Sequence, residues 1–200
     1  MKRVAFLLSG RGSNFKALHH AIQAGQIPAE TVMVISNRED APGLAYARSL
    51  GLPCRFVESR GRAREDFDRE VVEILDNAST DIVCLAGFMR LLSDYFVHAF
   101  PSRILNIHPS LLPAFPGLNA QKQALEWGVK ITGCTVHFVD DKLDHGPIIV
   151  QRVVPVLSSD DEETLSARIL EQEHLAYPEA LKLVCEDRIS IQGRRVIVNT

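Results

Sequence analysis

Asn106 and His108 stand two residues apart in Arg103-Ile104-Leu105-Asn106-Ile107-His108-Pro109-Ser110-Leu111-Leu112-Pro113. In an extended segment, side chains two apart share a face. A neutral amide donor and a titratable imidazole would therefore project together. Pro109 cannot donate to a ladder and helps end the strand. Polar groups at the carboxyl end of a strand occupy the place where open α/β sheets put their chemistry. Such a pair suits stabilising an oxyanion and moving a proton. Ser110 follows closely but lacks the Gly-x-Ser-x-Gly setting of an activated nucleophile. The plainer alternative is a strand end with two solvated polar residues.

A second constellation lies near the start of the chain. Ser9-Gly10-Arg11-Gly12-Ser13-Asn14 joins an apolar run to a helical pattern, the place where a phosphate meets backbone donors and the positive end of a helix dipole. Two familiar assignments fail by residue. A Walker loop ends in Gly-Lys-Ser/Thr, and this one ends in Gly-Ser-Asn. A dinucleotide fingerprint has Gly or Ala at its sixth position, which here is Phe15. The second strand ends in Ser36-Asn37, without an acid at that end for a ribose hydroxyl. What remains is a loop suited to one phosphate, with Ser13 and Asn14 adding side-chain donors. The alternative is that Ser13 or Asn14 only caps the helix.

The elements that must position these groups alternate. Strands are expected at Val4–Leu8, Val32–Ile35, Arg55–Val57, Ile82–Leu85 and Ile104–Ile107. Between them fall helical patterns at Phe15–Ala24, Gly43–Leu50, Arg64–Asn77 and Asp94–Phe100. Ile82-Val83-Cys84-Leu85 is apolar without alternation, as suits a strand covered on both faces of a parallel sheet. The first half therefore reads as a doubly wound, mostly parallel α/β unit. Later, Thr132–Phe138 and Pro147–Val154 read as longer strands around the polar turn Val139–Gly146, an antiparallel extension of the sheet. A long helix from Glu162 to Val184 and a small hairpin around Gln192-Gly193 follow.

Two hundred residues suit one domain with a substantial core. Within it, residues 1–100 are expected to form a phosphate-binding half, 101–186 a catalytic half, and 187–200 a terminal hairpin or tail. Net charge is −3 with no dense basic block, which disfavours nucleic acid or a membrane surface as partner. The apolar run after Met1-Lys2-Arg3 is short and leads into the glycine loop, so it reads as a strand and not a signal peptide. Cys54, Cys84, Cys134 and Cys185 lie far apart without zinc spacing. A reduced, cytoplasmic protein without a metal, monomeric or weakly dimeric, is the expectation.

With the glycine loop, Ala86-Gly87-Phe88-Met89-Arg90-Leu91-Leu92, Asn106–Pro113 and Asp144 in order, the chain resembles the phosphoribosylglycinamide formyltransferases of purine biosynthesis. The likeness runs from about residue 3 to residue 185. It implies transfer of a formyl group from 10-formyltetrahydrofolate to the amine of 5-phosphoribosylglycinamide. It also implies roles. Asn106, His108 and Asp144 would be the catalytic set, and Gly12, Ser13 and Asn14 would hold the ribonucleotide phosphate. Glu173 would touch the ribonucleotide. Arg64, Met89, Arg90, Leu91, Leu92 and Asn106 would line the folate site. Each carried-over residue also has a structural reading: Arg64 as a helix-start arginine, Phe88–Leu92 as core, Glu173 as a solvated acid, Asp144 as a turn residue. His19, His20, His98 and His174 fall on helical patterns with no evident partner, whereas His137 precedes the Asp144 turn and is placed to help shape the site. Gln121 stands where the family has histidine, and His145 where it has a small residue.

Formyl transfer to an amine passes through a tetrahedral oxyanion. Asn106 can donate to that oxygen without changing charge, and an aspartate beside His108 favours the imidazolium. Three other readings compete. Formyltetrahydrofolate deformylases and methionyl-tRNA formyltransferases share the core but carry further domains, at the amino and carboxyl ends respectively, and the length of this chain disfavours both. A non-catalytic phosphate-binding module would need the glycine loop but not Asn106, His108 and Asp144.

Overall fold

The computed structural model describes residues 1–199 and divides into two compact units, Met1–Leu105 and Asn106–Thr200. In the first unit, β1 (Lys2–Leu8), β2 (Ala29–Ser36), β3 (Cys54–Phe56) and β4 (Ile82–Leu85) pair in parallel in the order β3-β2-β1-β4. The helices α1 (Ser13–Gln23), α2 (Pro42–Ser49), α3 (Arg64–Asn77) and α4 (Asp94–Ala99) alternate with them. Val4 to Leu8 are wholly buried, which explains why β1 is apolar at every position and not at alternate ones. Phe15 and Leu18 of α1 and Phe67, Val71 and Leu75 of α3 are likewise wholly buried, at the helical spacing read from the sequence. Phe15 packs its ring 5.0 Å from that of Phe6.

β5 (Ile104–His108) carries the chain out of the first unit and into the second. There β6 (Ile131–Phe138) and β7 (Ile148–Pro155) pair antiparallel. The terminal strands β8 (Ile189–Gln192) and β9 (Arg195–Val198) form an antiparallel hairpin whose β9 lies parallel to the start of β7. The 24-residue helix α6 (Glu162–Cys185) packs over β6 and β7. It starts in a capping box, the Asp161 carboxylate accepting the Thr164 amide while the Thr164 hydroxyl accepts the Asp161 amide. The fold is therefore α/β with parallel strands first and antiparallel strands towards the carboxyl end, as the sequence predicts. One helix departs from expectation: α5 (Ala120–Trp127) forms where the sequence gives no strong apolar stripe. It opens on Asn119 in a left-handed conformation and closes on Gly128.

Candidate active site

Asn106 and His108 share one face of β5, as their spacing predicts, and both gather partners within the second unit. The His108 ring is buried with an oxygen beside each nitrogen. Nε2 lies 2.8 Å from the Phe115 carbonyl, and Nδ1 lies 3.3 Å from Asp144 Oδ2. Each ring nitrogen thus faces a hydrogen-bond acceptor. The His108 and Asp144 side chains are 6% and 8% exposed, so the pair sits largely out of water, where such an interaction is only weakly screened.

Asp144 is held as firmly as it holds. Its Oδ2 accepts the Gly117 amide at 2.8 Å. Its backbone is left-handed, φ +48°, a conformation that costs an L-residue about 1–2 kcal/mol and that aspartate adopts more readily than most. The turn itself is served by another acid. Asp140 accepts the Lys142 amide at 3.0 Å and meets His145 Nδ1 at 2.8 Å. Asp144 is thereby left for His108.

His137 is the third ring at this site. Its Nδ1 donates to the Phe138 carbonyl at 2.8 Å, which leaves Nε2 as an acceptor 3.3 Å from Asn106 Nδ2. Burial holds the His137 ring below its ordinary range, against the pull of the Phe138 bond and of Asp144. A neutral His137 thus orients the Asn106 amide with its nitrogen inward. The segment after His108 is tied down by Thr135, whose Oγ1 donates to the Ser110 carbonyl at 2.7 Å and accepts the Leu112 amide at 3.0 Å. Gln151 Nε2 braces the same segment through the Leu112 carbonyl at 2.9 Å. Ser110 is spent on the Ala114 carbonyl, in keeping with its exclusion as a nucleophile.

The first unit gathers a different set at the carboxyl ends of its parallel strands. Gly12 takes φ +67° at the start of α1, and no side chain caps that helix. Ser13 is the first helical residue and Asn14 is buried in the first turn, so the cap-only alternative does not apply to either. The loop rests on Gly43 of α2, whose amide donates to the Gly10 carbonyl at 3.0 Å. A Cβ on Gly12 would lie 3.0 Å from Gly43 Cα. Ser9 donates to Asn37 Oδ1 at 2.6 Å and accepts the Met89 amide at 2.8 Å, which links the ends of β1, β2 and β4.

Residues 89–92 are held at both ends, by Ser9 at Met89 and by Asp68, which accepts the Ser93 amide at 2.6 Å. Burial raises the Asp68 carboxyl above its ordinary range, against the Ser93 hydrogen bonds and the charges of Arg90 and Arg64. Arg90 lies over the Phe67 ring at 4.7 Å and donates to the Ser59 carbonyl. Met89 and Leu91 are 73% and 51% exposed, so this run is not core but an apolar surface around fixed backbone. Arg64 is exposed at the first turn of α3. Arg64 and residues 89–92 all belong to the first unit.

Glu173 lies on α6. It is 8% exposed, not solvated as an acid on a charged helix usually is, and its charge adds to burial in pushing the Cys134 thiol up to about 12. Cys84, Cys134 and Cys185 are buried, as expected for small core hydrophobes. Two histidines expected to lack partners have them: His19 meets Thr31 Oγ1 at 3.0 Å and His20 meets the Tyr46 hydroxyl at 2.9 Å. Among the described residues no group of three or more His, Cys, Asp or Glu could hold a metal ion.

A buried imidazole between a carboxylate and a carbonyl, beside an oriented amide, is equipped for acyl transfer. The formyl transferase family model matches residues 2–181. The chain belongs to the formyl transferase family. It is 51% identical over 186 residues to the trifunctional purine biosynthetic protein adenosine-3 of Drosophila pseudoobscura pseudoobscura, covering 92% of this chain and 14% of that protein. Against the phosphoribosylglycinamide formyltransferase of Escherichia coli (strain K12), identity is 43% over 189 residues, covering 94% of this chain and 89% of that enzyme. The crystal structure of glycinamide ribonucleotide transformylase 1 from Symbiobacterium toebii superposes with a TM-score of 0.98 at 50% identity, covering 100% of this chain and 95% of that one. The chain thus spans a small part of the trifunctional relatives and most of the Escherichia coli enzyme. No described helix is long and apolar enough to cross a membrane.

Proposed function

We propose that the chain is a cytoplasmic phosphoribosylglycinamide formyltransferase, passing the formyl group of 10-formyltetrahydrofolate to the amine of 5-phosphoribosylglycinamide in purine biosynthesis. The observation that carries this is the His108–Asp144 pair at 3.3 Å beside Asn106, in a chain whose relatives at 43–51% identity bear transformylase or purine-biosynthesis names. The amine nitrogen bonds to the formyl carbon, and the carbonyl electrons collect on oxygen. Collapse of the intermediate breaks the bond from that carbon to N10 of the folate. The amine loses one proton and N10 gains one, so no net proton is consumed. Asn106 donates its free amide hydrogen to the oxyanion. His108 contributes its Nε2–H, for which the formyl oxygen competes with the Phe115 carbonyl. Asp144 holds the ring in line from its other nitrogen. No covalent enzyme intermediate is required.

In this reading Gly12, Ser13 and Asn14 receive the ribonucleotide phosphate on the uncapped amino end of α1, where amides and dipole favour an anion. Arg64 pairs with the carboxylate tail of the folate, and the backbone of Met89, Arg90, Leu91 and Leu92, fixed by Ser9 and Asp68, hydrogen-bonds its pterin. Glu173 contacts the ribonucleotide. The assay follows formylglycinamide ribonucleotide and formate from 10-formyltetrahydrofolate, with and without 5-phosphoribosylglycinamide. Product that depends on the amine is expected. Formate release without it would make the chain a deformylase, and binding of ribonucleotide without turnover would leave a binding module.

A further inference from the structure

We propose that Arg194, in the turn of the terminal hairpin, is a positioning residue that clamps His145 and so holds the neighbouring Asp144 against His108. The proposal rests on the transferase reading for its kinetic consequences, though not for its structural ones. Arg194 uses its fork on one residue. Nη2 donates to the His145 carbonyl at 2.6 Å, and Nη1 lies 2.8 Å from Nε2 and 3.2 Å from Nδ1 of the His145 ring. His145 Nδ1 also meets Asp140 Oδ2 at 2.8 Å. Its proton therefore goes to the carboxylate, which leaves Nε2 as the acceptor for the guanidinium. The result is a chain from Arg194 through His145 to Asp140 that ties the two ends of the loop together. Burial alone would raise the Asp140 carboxyl, but the bonds from His145 and the Lys142 amide and the charge of Arg194 hold it below its ordinary range.

Three features make this tie matter for Asp144. Asp144 is in the left-handed region, where its surroundings must keep it. The neck of the loop is closed behind it: Phe138 donates to the Pro147 carbonyl at 2.9 Å, and a Cβ on Gly146 would lie 1.9 Å from the Phe138 carbonyl. The clamp itself has a firm base, because β9 joins β7 at Arg195 opposite Ile148, one residue from Arg194 and two from Gly146. His145 thus supplies the ring that the hairpin grips. A lysine at 194 has no planar fork and could not hold ring and carbonyl together.

The test compares Arg194→Ala, Arg194→Lys, His145→Ala and the Arg194→Ala/His145→Ala double variant with the parent. Arg194→Ala should lower kcat roughly tenfold with KM for the ribonucleotide within about twofold, as expected when a reacting group is misplaced and binding is not. Arg194→Lys should recover only part of the loss, and the double variant should be no slower than Arg194→Ala, because both changes open one clamp. Independently of activity, the Gly117 amide, whose acceptor is Asp144 Oδ2, should exchange its hydrogen about tenfold faster in Arg194→Ala. Parental kcat with parental Gly117 protection overturns the proposal. So does protection lost evenly across α6, β6 and β7, which would make Arg194 a general stabiliser. Should the parent lack transferase activity, the function reading fails while Gly117 exchange still decides the clamp.

Discussion

The glycine-loop end of the first unit and the Asn106–Asp144 cluster of the second handle charge in opposite ways. Around Gly12 the donors are backbone amides and hydroxyls whose state does not change with pH, set by the Gly43–Gly10 hydrogen bond at 3.0 Å and by the Ser9 bridge. Around His108 the groups are ionisable side chains that position one another: Asp144 the His108 ring, His137 the Asn106 amide. The first arrangement suits holding a permanent anion; the second suits a charge that appears only during reaction. Changes in the first region should therefore act on KM and changes in the second on kcat.

The largest effect is expected at His108. Under the proposed function, replacing it with alanine removes an oxyanion donor and should cut kcat by about 10²–10³-fold with near-parental folding. Turnover within a few-fold of the parent would break the division at its centre. Asp144→Asn keeps an acceptor for Gly117 but not the negative charge beside His108, so kcat should fall by about 10²-fold. An unchanged kcat would assign Asp144 to its turn alone. Gly12→Ala tests the other side. With a left-handed φ and Gly43 Cα 3.0 Å from where the new methyl group would sit, the loop must strain or shift, and KM for the ribonucleotide should rise about tenfold, a cost near 1.4 kcal/mol. A fall in kcat at unchanged KM would reverse the comparison.

The smallest effect concerns stability. Burial keeps the His137 ring neutral in the folded chain, while the unfolded chain takes up a proton near the ordinary value of 6.5. The stability of the neutral ring is complete above that pH and is lost as pH falls below it. His19 and His174, also held low by burial, add to the same slope. His137→Asn should flatten the fall in Tm between about pH 8 and 5.5 by a few degrees, since about 1 kcal/mol moves Tm by 2–4 °C at this size. An unaltered slope would show that His137 is charged in the folded chain or exposed in it.

Much of this architecture is legible in the sequence because it depends on local pattern. Unbroken apolar runs announce β1 and β4, helical stripes announce α1 and α3, and a spacing of two places Asn106 and His108 together. The limit of Arg64–Asn77 and that of Ile82–Leu85 match the observed elements. What escapes is carried by backbone atoms and long-range contacts, which leave no residue signature. The Phe115 carbonyl on His108 is one such contact, the Gly43 amide under the glycine loop another. α5 escapes because a left-handed Asn119 starts it in place of a capping side chain. Glu173 reads as a surface acid until α6 is packed on β6 and β7, and the orienting role of His137 depends on a hydrogen bond across 31 residues.

The most direct measurement takes His108→Ala alone and records two quantities on one preparation: calorimetric binding of 5-phosphoribosylglycinamide and single-turnover formyl transfer from 10-formyltetrahydrofolate. Binding should stay within about twofold of the parent while the transfer step slows by about 10²-fold or more. Binding and transfer lost together, or transfer left intact, would contradict the separation of anion holding from charge development on which the account rests.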